Sequence, residues 1–434
     1  MKSFRFLPLI CVGVAVSGCG PKTESASNSA TAGSGDTASG GVVTIISPHS
    51  REIQTEFAAL WKTKNPGIEL KWLDQGGTSD DLNFVRSQYA SSSKEKGIGI
   101  DLFFGGGPET FTELEDDGLL APLDSDFGIP AKLNGLPLVG KDKSWVAAAL
   151  SGFGILYNKK IATRDKLPVP VTWEGLTDPK LRDRVALADP RHSGSAHTAY
   201  EIILQSNGWD KGWKILTAMA GNARTFETNS GKPLQNVQNG EAVFCPAIDF
   251  YAQKAIKQAG ADKMGYIEPK GQFVVTADPI AMLPGAPNAE GAKKFVNFVM
   301  SKEAQNLWFL AKGTPGGPKN EDLYRLPSLP SAYKPIPKGA STQLDPYSNK
   351  NTSNYDSDKA AVRRRALDVL IGVTLVDNLD AVKAAWAKNP NLDATGFVPV
   401  SESEFMGIAA KWDDAKFVSE MEDKWSAASR AKFQ

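Results

Sequence analysis

VVTIISPHSREIQTEFAALWKTKNPGIELKW, residues 42–72, is the stretch on which the fold class turns. Val42 to Ile46 is a β-branched run of strand length. Ile53, Phe57, Leu60 and Trp61 then recur at helical spacing, and Asn65-Pro66-Gly67 stops that helix. Ile68, Leu70 and Trp72 alternate with Glu69 and Lys71, the period of a half-exposed strand. Strand, amphipathic helix and strand in this order ask for a mainly parallel sheet with helices on its faces.

The same alternation extends along the chain. A second helix carries Leu82, Val85 and Tyr89, and Ile100 to Phe104 is a continuous apolar strand ending in Gly105-Gly106-Gly107. From Val185-Ala186-Leu187-Ala188 the pattern restarts, with a helix bearing Tyr200, Ile203 and Leu204 and a strand from Val243 to Ile248, so a second α/β lobe is expected. Tyr266-Ile267, Phe273-Val274-Val275 and Ile280-Ala281-Met282-Leu283 follow, then two helices carrying Phe295, Phe298, Leu307 and Trp308. No fixed-period repeat is present, which excludes a solenoid. Residues 313–346 are rich in Pro and Gly and predict a wrapped segment. Ala360 to Ala387 and Glu402 to Ala428 read as helices that buttress one lobe or present a surface to a partner.

With 434 residues, 41% apolar and 23% charged, the chain can fill several cores, and its 49 basic and 49 acidic residues leave no net field to gather nucleic acid. At the N-terminus, Lys2 and Arg5 precede an apolar run from Phe6 to Val16 and then Ser17-Gly18-Cys19, which resembles a bacterial lipoprotein export signal. The run is shorter than the ~20 residues that span a bilayer. Cleavage before Cys19 would leave its thiol to carry lipid, and Pro21 to Gly41, small and polar, would serve as a tether. Of the three cysteines, Cys11 leaves with the signal and Cys19 takes lipid; Cys245 is then alone and reads as a small buried hydrophobe.

Six segments carry a family resemblance: residues 45–49 (IISPH), 100–107 (IDLFFGGG), 154–158 (GILYN), 189–195 (DPRHSGS), 247–251 (AIDFY), and 286–288 (APN) with 295–299 (FVNFV) and Ala304-Gln305. In this order over Val42 to Gly317 the chain resembles bacterial extracellular solute-binding proteins of ABC transporters, in the branch that holds receptors for ferric iron and phosphorylated compounds. The resemblance implies two Rossmann-like lobes of the periplasmic binding protein type II kind, joined by two crossing hinge segments, with ligand in the cleft. The divisions expected are a signal over 1–18, a lipidated Cys19 and tether over 19–41, lobe 1 over 42–150 plus 272–317, lobe 2 over 151–271, a wrap over 318–346 and a helical extension over 347–434. The crossings fall near Ser151-Gly152-Phe153-Gly154 and Pro269-Lys270-Gly271.

In open α/β sheets ligands sit beyond the carboxyl ends of strands, where loops meet helix N-termini. That rule selects Ser47 and His49, then Gly106 and Gly107, then Ser193, Gly194 and Ser195, and an anionic group is the natural occupant of such ends. Simple N-capping by Ser50 and Ser193 is the competing explanation. Asp249 and Tyr251, at the start of a helix, are expected to face the cleft from the second lobe, with capping as the other role open to Asp249; Asn229 and Ser230 are further polar contacts or, more cheaply, a polar turn before Lys232. For ferric ion, the resemblance implies paired tyrosines and a histidine; Tyr251 and His49 match, but Phe250 stands where the second tyrosine would be, which puts a hard Fe(III) site in doubt. His192 and His197, five apart, make a poor metal pair and read as surface or capping residues.

No Gly-x-Ser-x-Gly, His-Glu-x-x-His, Cys-x-x-Cys or dinucleotide fingerprint occurs, and only three histidines are available as general bases. The expectation is therefore a binding receptor rather than an enzyme, without a cofactor, with a small anionic or polyhydroxylated solute, an ABC transporter permease and a membrane reached through the Cys19 lipid as partners. A ferric-iron receptor is the alternative, and a lipoprotein hydrolase or a protein whose helical tail docks a partner stands behind it.

Overall fold

The structure is a computed structural model that describes residues 41–433. The export signal, the lipidation site Cys19 and the tether up to residue 40 lie outside the described residues. Among the described residues the strands, in chain order, are β1 (Gly41–Ile46), β2 (Ile68–Leu73), β3 (Leu102–Phe104), β4 (Lys132–Leu133), β5 (Leu136–Pro137), β6 (Trp145–Asn158), β7 (Val185–Ala188), β8 (Ala223–Glu227), β9 (Phe244–Ile248), β10 (Met264–Ile267), β11 (Val274–Met282) and β12 (Leu326–Pro327). All but the β4–β5 hairpin join one mixed sheet in the order β2-β1-β3-β11-β6-β9-β7-β8, with β10 and β12 also pairing β6.

Residues 42–72 form the expected unit: β1 and β2 pair in parallel across the helix Arg51–Lys64, and β3 adds on the other side of β1. At the far end β7 lies parallel between β9 and β8, covered by the helices Gly194–Asn207 and Trp209–Gly221. Two long antiparallel strands connect these ends. Phe153 of β6 opposes Val274 of β11 on one side and Ile248 of β9 on the other, so β6 passes from one lobe into the next without a break.

The first crossing is therefore continuous strand. Gly152 and Gly154 keep ordinary negative φ, and a Cβ on either would enter the Phe273 ring or meet the Ile267 carbonyl, so both are required for close approach rather than for bending. The second crossing, between β10 and β11, does turn at a left-handed glycine, Gly271 at φ +67°. Phe273 to Leu283, which the sequence divides into two apolar pieces, is built around one strand, β11, with an irregular register between Asp278 and Pro279.

Separate apolar cores fill the two lobes. Phe57, Trp61, Phe104, Phe295 and Trp308 pack in the first, and Tyr200, Ile203, Trp213 and Met219 in the second. The wrapped segment belongs to the first lobe, where Leu323 is buried and β12 pairs Leu150 and Ala149 of β6. The C-terminal helices Ser357–Ile371, Leu379–Lys388, Glu402–Ala409 and Ala415–Phe433 belong to the second: Leu367, Leu370, Val382, Phe405 and Trp425 share its core. These contacts pack the extension onto the second lobe. No helix among the described residues is long and apolar enough to cross a membrane.

Candidate functional site

A cavity of about 340 Å³ lies between the lobes. Helices that begin at its wall include Thr78–Ala90 and Pro108–Asp116 from the first lobe and Gly194–Asn207 and Gly231–Asn239 from the second. Each start presents the positive end of a helix dipole, although Pro108 has no N–H and the first two N–H groups of Gly231–Asn239 are taken by Asn229. Gly105 and Gly106 make the β3 turn possible, with φ of +100° and +109°; a Cβ on Gly105 would stand 2.6 Å from His49 Nε2.

Most of the expected site residues line this cavity together: His49, Gly106, Gly107, Ser193, Gly194, Ser195, Asn229, Ser230 and Tyr251. Ser193 both caps its helix, accepting from Ala196 N at 3.2 Å, and sits 2.6 Å from Ser230 Oγ, so capping and cavity lining coexist. Asn229 accepts from the N–H groups of Gly231 and Lys232, which shapes the turn into the next helix. Ser50 makes no side-chain cap.

Two selected residues are placed elsewhere. Ser47 is buried, with its hydroxyl accepting from His49 N at 3.2 Å. Asp249 is buried at the hinge, accepting from Gly152 N at 2.8 Å and from Phe250 N at 2.7 Å, and burial pushes its carboxyl up to about 7. A carboxylate spent on those two backbone donors pins β6 to the helix Asp249–Ala259 and leaves the cavity wall to Ile248, Phe250 and Tyr251. His197 corrects a further expectation: it is neither exposed nor a cap, but buried with Nδ1 2.7 Å from Asp368 Oδ1 of the C-terminal extension. Burial alone would lower its pKa; the Asp368 carboxylate overturns that and raises it.

The charged part of the site consists of residues that the strand-end rule passes over. Asp278, in the middle of β11, accepts from Gly106 N at 3.1 Å, lies 3.3 Å from His49 Nε2 and contacts the guanidinium of Arg325. Arg325 comes from the wrapped segment, and its Cζ lies 3.9 Å above the Phe250 ring, so a first-lobe cation rests on a second-lobe aromatic. Burial lowers the Arg325 pKa to about 10 while the fields of Tyr251 and Asp249 oppose the shift, and the group stays charged. His49 is held well below its ordinary pKa by burial and by the Arg325 charge and is neutral at pH 7; burial raises the Tyr251 phenol.

Unspent donors remain at this wall. Arg325 Nε and Ser151 Oγ are buried and have no hydrogen-bond partner among the described residues. Both had a signal in the sequence or a reason for lacking one. Ser151 and Asp278 are polar side chains inside otherwise apolar strand runs, a pattern that marks a partner or a site. Arg325 sits in a segment with no periodicity from which its direction could be read. Among the described residues no group of three or more His, Cys, Asp and Glu side chains is placed to hold a metal ion.

Comparison with known proteins agrees with this architecture. The phosphoglycerate transport regulatory protein PgtC of Salmonella typhimurium is 28% identical over 208 residues, 48% of this chain and 51% of PgtC, so the chain spans about half the length of that relative. Among solved structures, the periplasmic binding protein AfuA of Actinobacillus pleuropneumoniae with fructose-6-phosphate bound superposes with a TM-score of 0.60 at 19% identity, over 80% of this chain and 98% of AfuA. Iron-bound HitA of Pseudomonas aeruginosa gives 0.60 at 18% identity, over 76% and 99%. The fold is thus the mixed α/β fold of type II periplasmic binding proteins, with a helical C-terminal region. A sequence profile of bacterial extracellular solute-binding proteins matches residues 98–331, more than half of the chain, and the protein belongs to that family.

Proposed function

We propose that the cleft captures a small anionic solute, a phosphorylated organic compound before any other, by closure of the 42–150 plus 272–317 lobe onto the 151–271 lobe. The observation that carries this reading is the convergence of four helix N-termini from both lobes on one cavity that also holds the unspent donors Arg325 Nε and Ser151 Oγ. Each helix end favours an anion by ~0.3–1 kcal/mol, so four together rival one charge-assisted hydrogen bond and do so from both sides of the cleft. A ligand touching both sides shifts the population toward the closed form, which a permease of an ABC transporter then recognises. The sugar phosphate in AfuA and the phosphoglycerate in the name of PgtC support the same ligand class. The protein acts as a receptor and not as an enzyme, and lipid on Cys19 holds it to a membrane outside the cytoplasm.

Ferric ion is the second reading, favoured by the cavity position of Tyr251 and His49 and by the iron in HitA. Phe250, beside Tyr251, stacks under the buried Arg325 guanidinium, and a trivalent cation next to that charge is disfavoured. Thermal unfolding against phosphoglycerate, fructose-6-phosphate, phosphonates and ferric citrate decides between them. A solute at ~100 times its Kd adds about 2.7 kcal/mol. A shift with the phosphorylated compounds that Arg325→Met abolishes supports the first reading, and a ferric shift lost in Tyr251→Phe replaces it with the second.

A further inference from the structure

The AfuA and HitA folds are almost fully matched, at 98% and 99% of their lengths, by 80% and 76% of this chain, and the family profile ends at residue 331. The helices after residue 356 lie beyond the end of that profile. They are fixed to the second lobe. Arg363 pairs with Glu201, both side chains fully buried, at 2.6 Å; Trp386 Nε1 donates to Asn222 Oδ1 at 2.9 Å; Trp209 Nε1 donates to the Val400 carbonyl at 2.7 Å.

From that anchorage the same helix reaches the first lobe. Arg364 donates to Thr110 Oγ1 and, at 3.3 Å, to Ser79 Oγ, and lies 3.5 Å from the Glu113 carboxylate. Tyr355 donates to Glu109 Oε1 at 2.7 Å. Ser79 and Thr110 stand in the first turns of two first-lobe helices that begin at the cavity. A Cβ on Gly194, at the start of the second-lobe helix, would lie 3.8 Å from Arg364 Nη2. One buried guanidinium therefore sits behind three of the helix N-termini at the site, two on one lobe and one on the other.

We infer that the C-terminal extension is a clasp: carried by the second lobe, it grips the first through Arg364 and Tyr355, and so makes these two positioning residues for closure of the cleft. This rests on the reading of the cleft as a closing solute site, but its first test needs no solute. Spin labels on Lys62→Cys and Lys257→Cys, exposed positions on helices of opposite lobes, report the distance between lobes by pulsed electron resonance. In the unliganded full chain, Arg364→Ala/Tyr355→Phe is expected to move the distance distribution to longer values, and Arg364→Lys, which keeps a cation near Glu113, to restore part of the shift. Thr110→Val removes a first-lobe acceptor without touching the packing of the extension and is expected to act in the same direction. For any phosphorylated solute that raises the melting temperature, the double variant should bind about tenfold more weakly, within the usual 5–150-fold range of coupling. Unchanged distances in Thr110→Val and in a folded double variant overturn the clasp. Longer distances with no solute bound by any variant uphold it and reject the solute reading instead.

Discussion

Asp278→Ala tests the charge arrangement of the cleft most directly. The carboxylate is buried in the middle of β11, and its loss strands three partners at once: the Arg325 guanidinium, the Gly106 N–H at 3.1 Å and the His49 ring nitrogen at 3.3 Å. Removing one member of a buried pair costs ~3–5 kcal/mol, because the remaining charge stays desolvated. The Phe250 face under Arg325 and the nearby Asp249 carboxylate relieve part of that, which places the expected loss near ~3 kcal/mol. Urea unfolding followed by tryptophan fluorescence measures it. Arg325→Met removes the stranded cation, so Asp278→Ala/Arg325→Met should be less destabilised than the sum of the single variants by ~2 kcal/mol. The carboxylate also competes with an anionic solute for the same guanidinium, and Asp278→Ala should bind a phosphorylated probe at least as tightly as the unaltered protein. Additivity of the two substitutions within ~0.5 kcal/mol, or a loss below ~1 kcal/mol for Asp278→Ala, would refute the buried pair.

The Lys254 ammonium, 2.7 Å from Glu52 across the lobes, holds the Glu52 carboxyl at about 2 against its ordinary 4.5. A depressed pKa contributes stability above the ordinary value that is lost as pH falls through the depressed one, so the melting difference between the unaltered protein and Glu52→Gln should shrink from pH 5 to pH 2. Gly154→Ala drives a methyl into the Ile267 backbone carbonyl and should cost ~1–3 kcal/mol, whereas Gly271→Ala, with open space around it, loses only the ~1 kcal/mol of a left-handed conformation; melting temperatures of the two variants check the contrast.

The parts of the fold that were legible are those where local pattern and global position coincide. Residues 42–72 carry their strand–helix–strand alternation openly, and each strand-to-helix loop then points to the cavity because parallel strands all deliver their carboxyl ends to one side. His49, Gly106, Ser193 and Gly194 followed from that rule alone. Asp249 obeyed the same rule and still went elsewhere, because the crossing strand offered the Gly152 N–H at 2.8 Å and a buried carboxylate takes the nearest backbone donors.

What stayed hidden was set by contacts distant in the chain. Asp278 within an apolar run announces that some donor or cation must meet it, since an ionised carboxylate without a partner would not remain inside β11. The partner lies 47 residues on, in a segment whose prolines and glycines carry no period, so only the folded path of the wrap names Arg325. The extension follows the same logic at larger scale. Its apolar faces predict helices, and its Trp and Leu residues predict burial, but Arg363 and Arg364 are adjacent and chemically alike. Only the packing turns the first to Glu201 of one lobe and the second to Thr110 of the other, and that division of labour between neighbouring arginines is what lets one helix hold both.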